Sequence, residues 1–385
     1  MINAGRDAAL AATRRGEARE SPWVIVVGGF LGAGKTTLLL AAAKELERRG
    51  LRSAVVLNDQ SEGLVDTEYA ALNGLPTDEV TGGCFCCRFS DLVGVLDKLR
   101  AHGSNVIFAE PVGSCTDISA TTLRPLQEYG SYRLAPYTVL VDPERAKALL
   151  LADADENLAF LFRKQIEEAD LICFSKSDLT NKVPEIGAGR TRQISAKTGQ
   201  GVAAWLDEVL SGQVASGKEI LDIDYVRYAQ AEAALAWLNL QATIRLSVPL
   251  SPAQVLGPLL DDIDAGLSEA GIAIVHLKAI VRGESGFVKA AQCGNRVEPQ
   301  VEGMLDASPA SQLELLLNLR CVGPAETARQ IVERCLGGMN AETLDLRIQA
   351  FHPAAPNPER RVRKEDVAAE AARARRNGLE GGGFR

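Results

Sequence analysis

The chain has 385 residues, 46% of them apolar, and its 42 basic and 50 acidic side chains give a formal net charge of −8. That length predicts two or three domains of about 150 residues, the apolar share excludes wholesale disorder, and the acidic balance excludes a nucleic-acid binder working through bulk charge. Eight cysteines are too dilute for a disulfide scaffold, no apolar run approaches the roughly 18 residues that span a bilayer, and the first residues lack the apolar stretch of a secretory signal. These features predict a cytoplasmic protein with no membrane association. In a reducing compartment, clustered cysteines bind metal or carry out chemistry.

Residues 1–21 are small and polar and read as a flexible lead-in. Trp23-Val-Ile-Val-Val27 is a short run, β-branched after the tryptophan, which predicts a strand buried on both faces. A glycine-rich turn leads into strong helix formers from Thr37 to Leu46, stopping at Gly50. Strands expected over 53–57, 105–109, 137–141, 170–174 and 192–195 alternate with helices over 90–101, 158–169 and 202–210. This alternation predicts an α/β domain over 22–215, a parallel sheet with helices on both faces. A connecting segment is expected over 216–240.

The style changes in the second half. A strand over 242–248, a helix over 252–270, strands over 272–281, 286–292 and 313–321, a helix over 324–336 and a strand over 344–351 form a smaller α+β domain spanning 241–352. Their order suggests a ferredoxin-like arrangement with an added strand. Residues 353–385, with Arg360-Arg-Val-Arg-Lys364 and Arg373-Ala-Arg-Arg376, read as a flexible, solvated basic tail. No repeat of 20 to 50 residues is visible.

The strongest chemical signal is Gly29-Phe-Leu-Gly32-Ala33-Gly34-Lys35-Thr36, placed between the first strand and the first helix. It is a P-loop, and it assigns the α/β domain to the P-loop NTPases. Its glycines turn backbone N–H groups inward on a polyphosphate, the helix N-terminus adds partial positive charge, Lys35 reaches the β- and γ-phosphates, and the Thr36 hydroxyl takes one Mg²⁺ position. Thr37 completes the cradle.

Two later segments read the base. Ser175-Lys176-Ser177-Asp178 ends a strand with an aspartate able to accept two hydrogen bonds from guanine, while the Lys176 stem covers the ring. Adenine offers no such donor pair and would leave a desolvated carboxylate unpaired. Ser195-Ala196-Lys197, again after a strand, can bring a backbone N–H to the guanine oxygen. The pair favours GTP over ATP.

Glu110-Pro-Val-Gly113 follows a buried strand at the carboxyl edge, where α/β sheets place their ligands. Glu110 can hold Mg²⁺ or orient the attacking water, and the Gly113 N–H can report the γ-phosphate. Asn58-Asp59 lies at the same edge, with Asp59 and Asp66 on the expected switch loop. Lys35 and Glu110 are therefore the candidate catalytic residues, with Thr36, Glu110 and Asp59 the candidate Mg²⁺ set. Without a Ras-type glutamine, hydrolysis to GDP and phosphate is expected to be slow, on the order of 10⁻³ per second.

Cys84-Phe85-Cys86-Cys87 sits in a glycine-rich loop before a helix beginning near Ser90. Three thiols in four residues can hold a soft or borderline ion at about 2.3 Å per sulfur, and a helix N-terminus favours the thiolate. Cys84 and Cys87 also form a C-x-x-C, which leaves a redox role open. Cys115, just past Gly113, reads as packing, with closeness to the cluster in space as the alternative, Trp205 and Trp237 as core or interface, and Phe30 as a contact to the second domain.

The P-loop, Gly83-Cys84-Phe85-Cys86-Cys87, Glu110-Pro-Val-Gly113 and Ser175-Lys-Ser-Asp178 together resemble the CobW family of P-loop GTPases, GTP-dependent metallochaperones related to nickel-insertion GTPases. The resemblance covers the first 215 residues and extends to the second half in outline only. It implies GTP/GDP, Mg²⁺ and zinc (or cobalt) at Cys84, Cys86 and Cys87, an acidic role for Asp59 near the metal, and transfer to a client metalloprotein or cofactor-dependent enzyme. Neither nucleic acid nor membrane is an expected partner, and a homo-oligomer is compatible with the sequence. Ser175 stands where the family's guanine motif begins with Asn, and the His-rich tract of some members is absent. Two other readings fit the same residues: a GTP-dependent switch with redox-sensing cysteines, and a cofactor-loading chaperone that moves no metal.

Overall fold

The computed structural model describes residues 21–180, 182–186 and 190–367. The lead-in expected over 1–21 and the tail beyond 367 therefore fall outside the described residues, apart from residue 21.

The first domain contains β1 (Trp23–Gly29), α1 (Lys35–Arg48), β2 (Ser53–Asn58), α2 (Val65–Leu72), β3 (Thr77–Val80), α3 (Phe89–Ala101) and β4 (Val106–Glu110). After a short π-helical stretch come α4 (Arg124–Tyr129), β5 (Arg133–Leu134), β6 (Thr138–Val141), α5 (Pro143–Leu150), α6 (Glu156–Glu167), β7 (Leu171–Phe174), β8 (Arg190–Gln193) and α7 (Val202–Leu210). Seven strands form a parallel sheet in the order β3-β2-β4-β1-β6-β7-β8, and the short β5 pairs beside β1.

The continuous apolar runs of this sheet follow from its double cover. On one face, Ile25 and Val27 pack with Leu38, Leu39 and Leu46 of α1 and Trp205 and Leu206 of α7. On the other, Val24 and Val26 pack with Phe89, Leu92 and Leu96 of α3 and Leu161 and Phe162 of α6. A strand buried on both faces has no place for a polar residue until its carboxyl end. All the candidate ligand groups of this domain lie at that end or just beyond it.

The second domain contains α8 (Tyr225–Ala233), β9 (Leu235–Leu250), α9 (Pro252–Glu269), β10 (Ala273–Gly283), β11 (Gly286–Gln292), β12 (Gln300–Gly303), β13 (Ala310–Val322), α10 (Ala325–Gly338) and β14 (Ala341–Phe351). Its sheet runs β12-β11-β10-β13-β9-β14, antiparallel throughout. Without the β11–β12 hairpin, the βαββαβ order is the ferredoxin-like arrangement, so the addition is a hairpin rather than one strand.

One face of this sheet is apolar: Leu238, Leu240, Leu277, Ala279, Leu317 and Leu319 pack on Leu259, Leu260 and Ile263 of α9 and Val332 of α10. The residues between them in sequence face the first domain and are polar: Asn239, His276, Lys278, Asn318 and Arg320, with Lys289 on the neighbouring strand. The period-two alternation of a strand places the two sets on opposite faces.

Three expectations need correction. The connecting segment over 216–240 holds α8 and the first turns of β9, because Leu235 to Leu240 are all buried between the two layers. Phe30 packs edge-on against Phe162 at 6.2 Å under the Arg145 guanidinium, within the first domain. Residues 353–367, expected to be a solvated tail, run back across the first domain and are held there by hydrogen bonds.

Gly28 shows how closely the sheet is packed under the phosphate loop. A Cβ there would collide with the Tyr137 ring, whose hydroxyl is buried with no hydrogen-bond partner. Gly28→Ala should destabilise the fold by about 1–3 kcal/mol through overpacking. Tyr137→Phe, which removes an unsatisfied group, should be neutral or stabilising, both read by thermal denaturation.

Candidate functional site

The P-loop bridges the end of β1 and the start of α1. Gly34 is the N-cap of α1 at φ 90, a left-handed conformation that costs glycine nothing. Gly32, at φ 82, lies so close to Cys293 of the second domain that a Cβ would meet the sulfur. Gly29, Ala33, Thr36 and Thr37 complete the turn into the helix. The Lys35 ammonium donates to Gly29 O at 3.0 Å and lies 3.7 Å from Glu110 Oε1.

Thr36 and Glu110 meet across the crevice, the Thr36 hydroxyl donating to Glu110 Oε2 at 2.9 Å. Burial pushes the Glu110 carboxyl above its ordinary range and the Lys35 ammonium below its own, each opposed by the other's charge. Gly113 lies against Leu31 and Lys35, and its carbonyl accepts from Gln165 at 3.0 Å. Asp59 lines the same crevice, but Arg320 donates to its Oδ2 at 2.7 Å. Asp59 is thus salt-bridged to the second domain.

Asp178 and Ser195 come together from separate loops, the Ser195 hydroxyl donating to Asp178 Oδ1 at 2.7 Å. Ser195 Oγ also accepts from the Thr198 N–H at 3.1 Å, which fixes the turn containing Ala196 and Lys197; the Lys197 side chain is exposed. Lys176 holds the left-handed conformation at φ 56 and pairs with Asp142 at 2.7 Å. Sequence reading missed Asp142. It ends β6 and caps α5 by accepting from the Glu144 N–H, and its signal was an acid directly before a proline at the same sheet edge. The crevice between the domains encloses about 470 Å³, within the range of small-molecule sites.

The thiol loop lies one strand away. Cys84 Sγ is 2.7 Å from Cys86 Sγ and 3.2 Å from Cys87 Sγ, and Cys86 and Cys87 are 3.7 Å apart. All three ligand atoms fall within 4.8 Å of one another, close enough to share one ion. Hydrogen bonding from Cys115, then from Cys86 and Cys87, holds the Cys84 thiol well below its ordinary range, while Cys86 and Cys115 are pushed up and Cys87 reaches about 11. Cys84 is therefore the first of the group to ionise. Cys115, buried in the core, stands beside Cys84, the alternative the sequence left open.

Asn58, the last residue of β2, ties this loop to the phosphate edge. Its side-chain amide donates to Val80 O at 2.8 Å and Gly83 O at 2.7 Å, and its carbonyl accepts from the Phe85 N–H at 2.8 Å. The next residue is Asp59.

From the other side, residues 353–363 cover the loop. The Asn357 N–H donates to Cys87 Sγ at 3.2 Å, the Glu359 N–H donates to Cys86 O at 2.9 Å, and Ser90 donates to Glu359 Oε2. Arg361 then clamps buried Asp117 at 2.7 Å.

Asn58→Ala would orphan the Gly83 carbonyl and the Phe85 N–H in a buried loop, at a cost of about 1–3 kcal/mol each in the worst case, and leave Val80 O with only the Asp59 N–H. The expected outcome is a lower melting temperature and faster alkylation of Cys84 and Cys86. Glu232 gives a pH signature. Burial, then the charge at Cys84, pushes its carboxyl up to about 8 from 4.5. The folded state thus keeps a proton that the unfolded chain releases, and this contribution is complete below pH 4.5 and lost as pH rises through about 8. Glu232→Gln should therefore raise the melting temperature more at pH 8.5 than at pH 5.

The family description CobW/HypB/UreG, nucleotide-binding domain, matches residues 23–200. Among curated relatives, the chain is 30% identical over 169 residues to the Zinc chaperone YjiA of Escherichia coli, an overlap of 42% of this chain and 52% of the relative. It is 29% identical over 185 residues to the Zinc chaperone CobW of Pseudomonas aeruginosa, covering 40% of this chain and 48% of the relative. The chain thus spans about half the length of the curated relatives it matches. Among solved structures, it resembles zinc-bound YjiA GTPase from E. coli at 17% identity, TM-score 0.32, over 83% of this chain and 99% of that one. It also resembles nickel-bound HypB from Helicobacter pylori at 17% identity, TM-score 0.38, over 53% and 93%. Among the described residues, no helix is long and apolar enough to cross a membrane.

Proposed function

We propose that this chain, whose residues 23–200 match the description CobW/HypB/UreG, nucleotide-binding domain, is a GTP-hydrolysing metallochaperone that loads a divalent ion, zinc or cobalt, on Cys84, Cys86 and Cys87 and passes it to a client protein. The curated relatives named as zinc chaperones support the cargo class. The observation that carries the coupling is Asn58, whose side chain holds the thiol loop by three hydrogen bonds while its neighbour Asp59 stands in the phosphate crevice.

In this reading the N–H groups of the loop from Gly32 to Thr37 cradle the phosphates and Lys35 leaves Gly29 O to meet them. Asp178, oriented by Ser195, takes the guanine edge, and Lys176, held by Asp142, covers its face. The Thr36 hydroxyl and Glu110 carboxylate are hard oxygen donors and suit magnesium, which supplies charge neutralisation at the phosphates when bound. Gly113, beside Lys35, faces the terminal phosphate. A switch loop that moves with that phosphate pulls on Asn58 and so on the geometry of the three sulfurs.

Titration calorimetry tests the proposal. Stoichiometric zinc or cobalt binding should disappear in Cys86→Ser and Cys87→Ser, and its affinity should differ about tenfold or more between GDP and a GTP analogue. Equal affinities in the two nucleotide states would remove the coupling. Lys35→Ala should lower GTP hydrolysis by about 100-fold or more. The 2.7 Å approach of the Cys84 and Cys86 sulfurs favours the redox switch as a second reading. Reversible disulfide formation that alters GTP turnover in metal-free protein would select it.

A further inference from the structure

The second domain presents cations to the phosphate crevice, and they are not equivalent. Arg320 is pinned: it pairs with Asp59, donates to Leu238 O at 3.1 Å and Asn239 Oδ1 at 2.7 Å, and stacks on Trp237. Lys289 is half-spent, lying over the Tyr69 ring at 3.8 Å and pairing with Glu302 at 3.4 Å. Lys278 is held by one hydrogen bond, to Asp66 at the start of α2. It lines the same crevice as Lys35 and Glu110 and acts electrostatically on both.

Burying a lysine beside another lysine costs free energy unless anions compensate it. Asp66 meets one partner's worth of that charge, and Glu110 is already shared between Thr36 and Lys35. A polyphosphate entering between Lys35 and Lys278 would supply the missing negative charge where two cations converge. The long, singly tethered Lys278 side chain can swing to it without disturbing the backbone of β10.

The geometry points to Lys278 as a second phosphate-binding lysine, delivered by the ferredoxin-like domain, that exchanges Asp66 for the terminal phosphate of a bound nucleoside triphosphate. This rests on the nucleotide-binding reading above and deepens it. The exchange removes one of the ties between α2 and the second domain, leaving those from Asn318 and Arg282 in place. The domain interface itself then responds to the third phosphate, since a diphosphate leaves Lys278 on Asp66.

The test is a pair of dissociation constants, for GDP and for a non-hydrolysable GTP analogue, in wild type, Lys278→Met, Lys278→Arg and Asp66→Asn. Lys278→Met, similar in length but uncharged, should weaken the triphosphate about tenfold or more while changing GDP less than about threefold. Lys278→Arg should restore most of the preference, and Asp66→Asn, which removes the competing anion, should strengthen the triphosphate several-fold. A purely structural Lys278–Asp66 bridge would instead lower the melting temperature of both uncharged variants and leave the triphosphate-to-diphosphate ratio unchanged, which overturns the proposal alone. Wild-type protein that binds neither nucleotide would overturn the functional reading and this one with it.

Discussion

The switch loop from Asp59 to Asp66 is held from outside its own domain, and the rest of the site depends on that restraint. Arg320 takes Asp59, Asn239 donates to Ser61 Oγ and Glu62 O, Asn318 bonds both Gly63 O and the Val65 N–H, and Lys278 takes Asp66. Each partner comes from the polar face of the second sheet. Buried charges and amides of this kind add little net stability, but removing one partner strands the other, so the loop and the sheet face are bound to move together. The loop's conformation is therefore a property of the interface between domains.

That arrangement gives the thiol cluster two mechanical inputs. At its base, Asn58 at the end of β2 bonds Gly83 and Phe85 directly. At its rim, the segment after β14 lays the Asn357 N–H on Cys87 and anchors itself through Arg361 to Asp117. Backbone N–H groups directed at sulfur stabilise thiolate and orient it, as outer partners do around metal ligands. The C-terminal domain thus touches the phosphate crevice through its sheet face and the sulfurs through the strap that follows its last strand.

Electrostatics distinguishes these two places. In the crevice, cations and anions alternate: Lys35 with Glu110, Lys278 with Asp66, and Arg320 with Asp59. At the thiol loop the Cys84 thiol is held down by hydrogen bonds from Cys115, Cys86 and Cys87, with Arg88 and the Arg360 and Arg361 guanidiniums at its rim.

The P-loop, the three-cysteine loop, the strand-end acid Glu110 and the Asp178–Ser195 pair were legible in the sequence because each is local: a few residues on one turn, or strand ends brought to one edge by the parallel rule. The apolar runs of β1, β4 and β6 likewise stated their double burial directly. Arg320 on Asp59, Lys278 on Asp66 and the strap over Cys87 were not legible. Each joins residues far apart in the chain, and a charged residue in a strand reads as solvent-facing until a second domain covers it. Hydrophobic periodicity and motif spacing specify elements and the chemistry they carry; which polar faces meet depends on how two folded domains dock, a relation that no local pattern encodes.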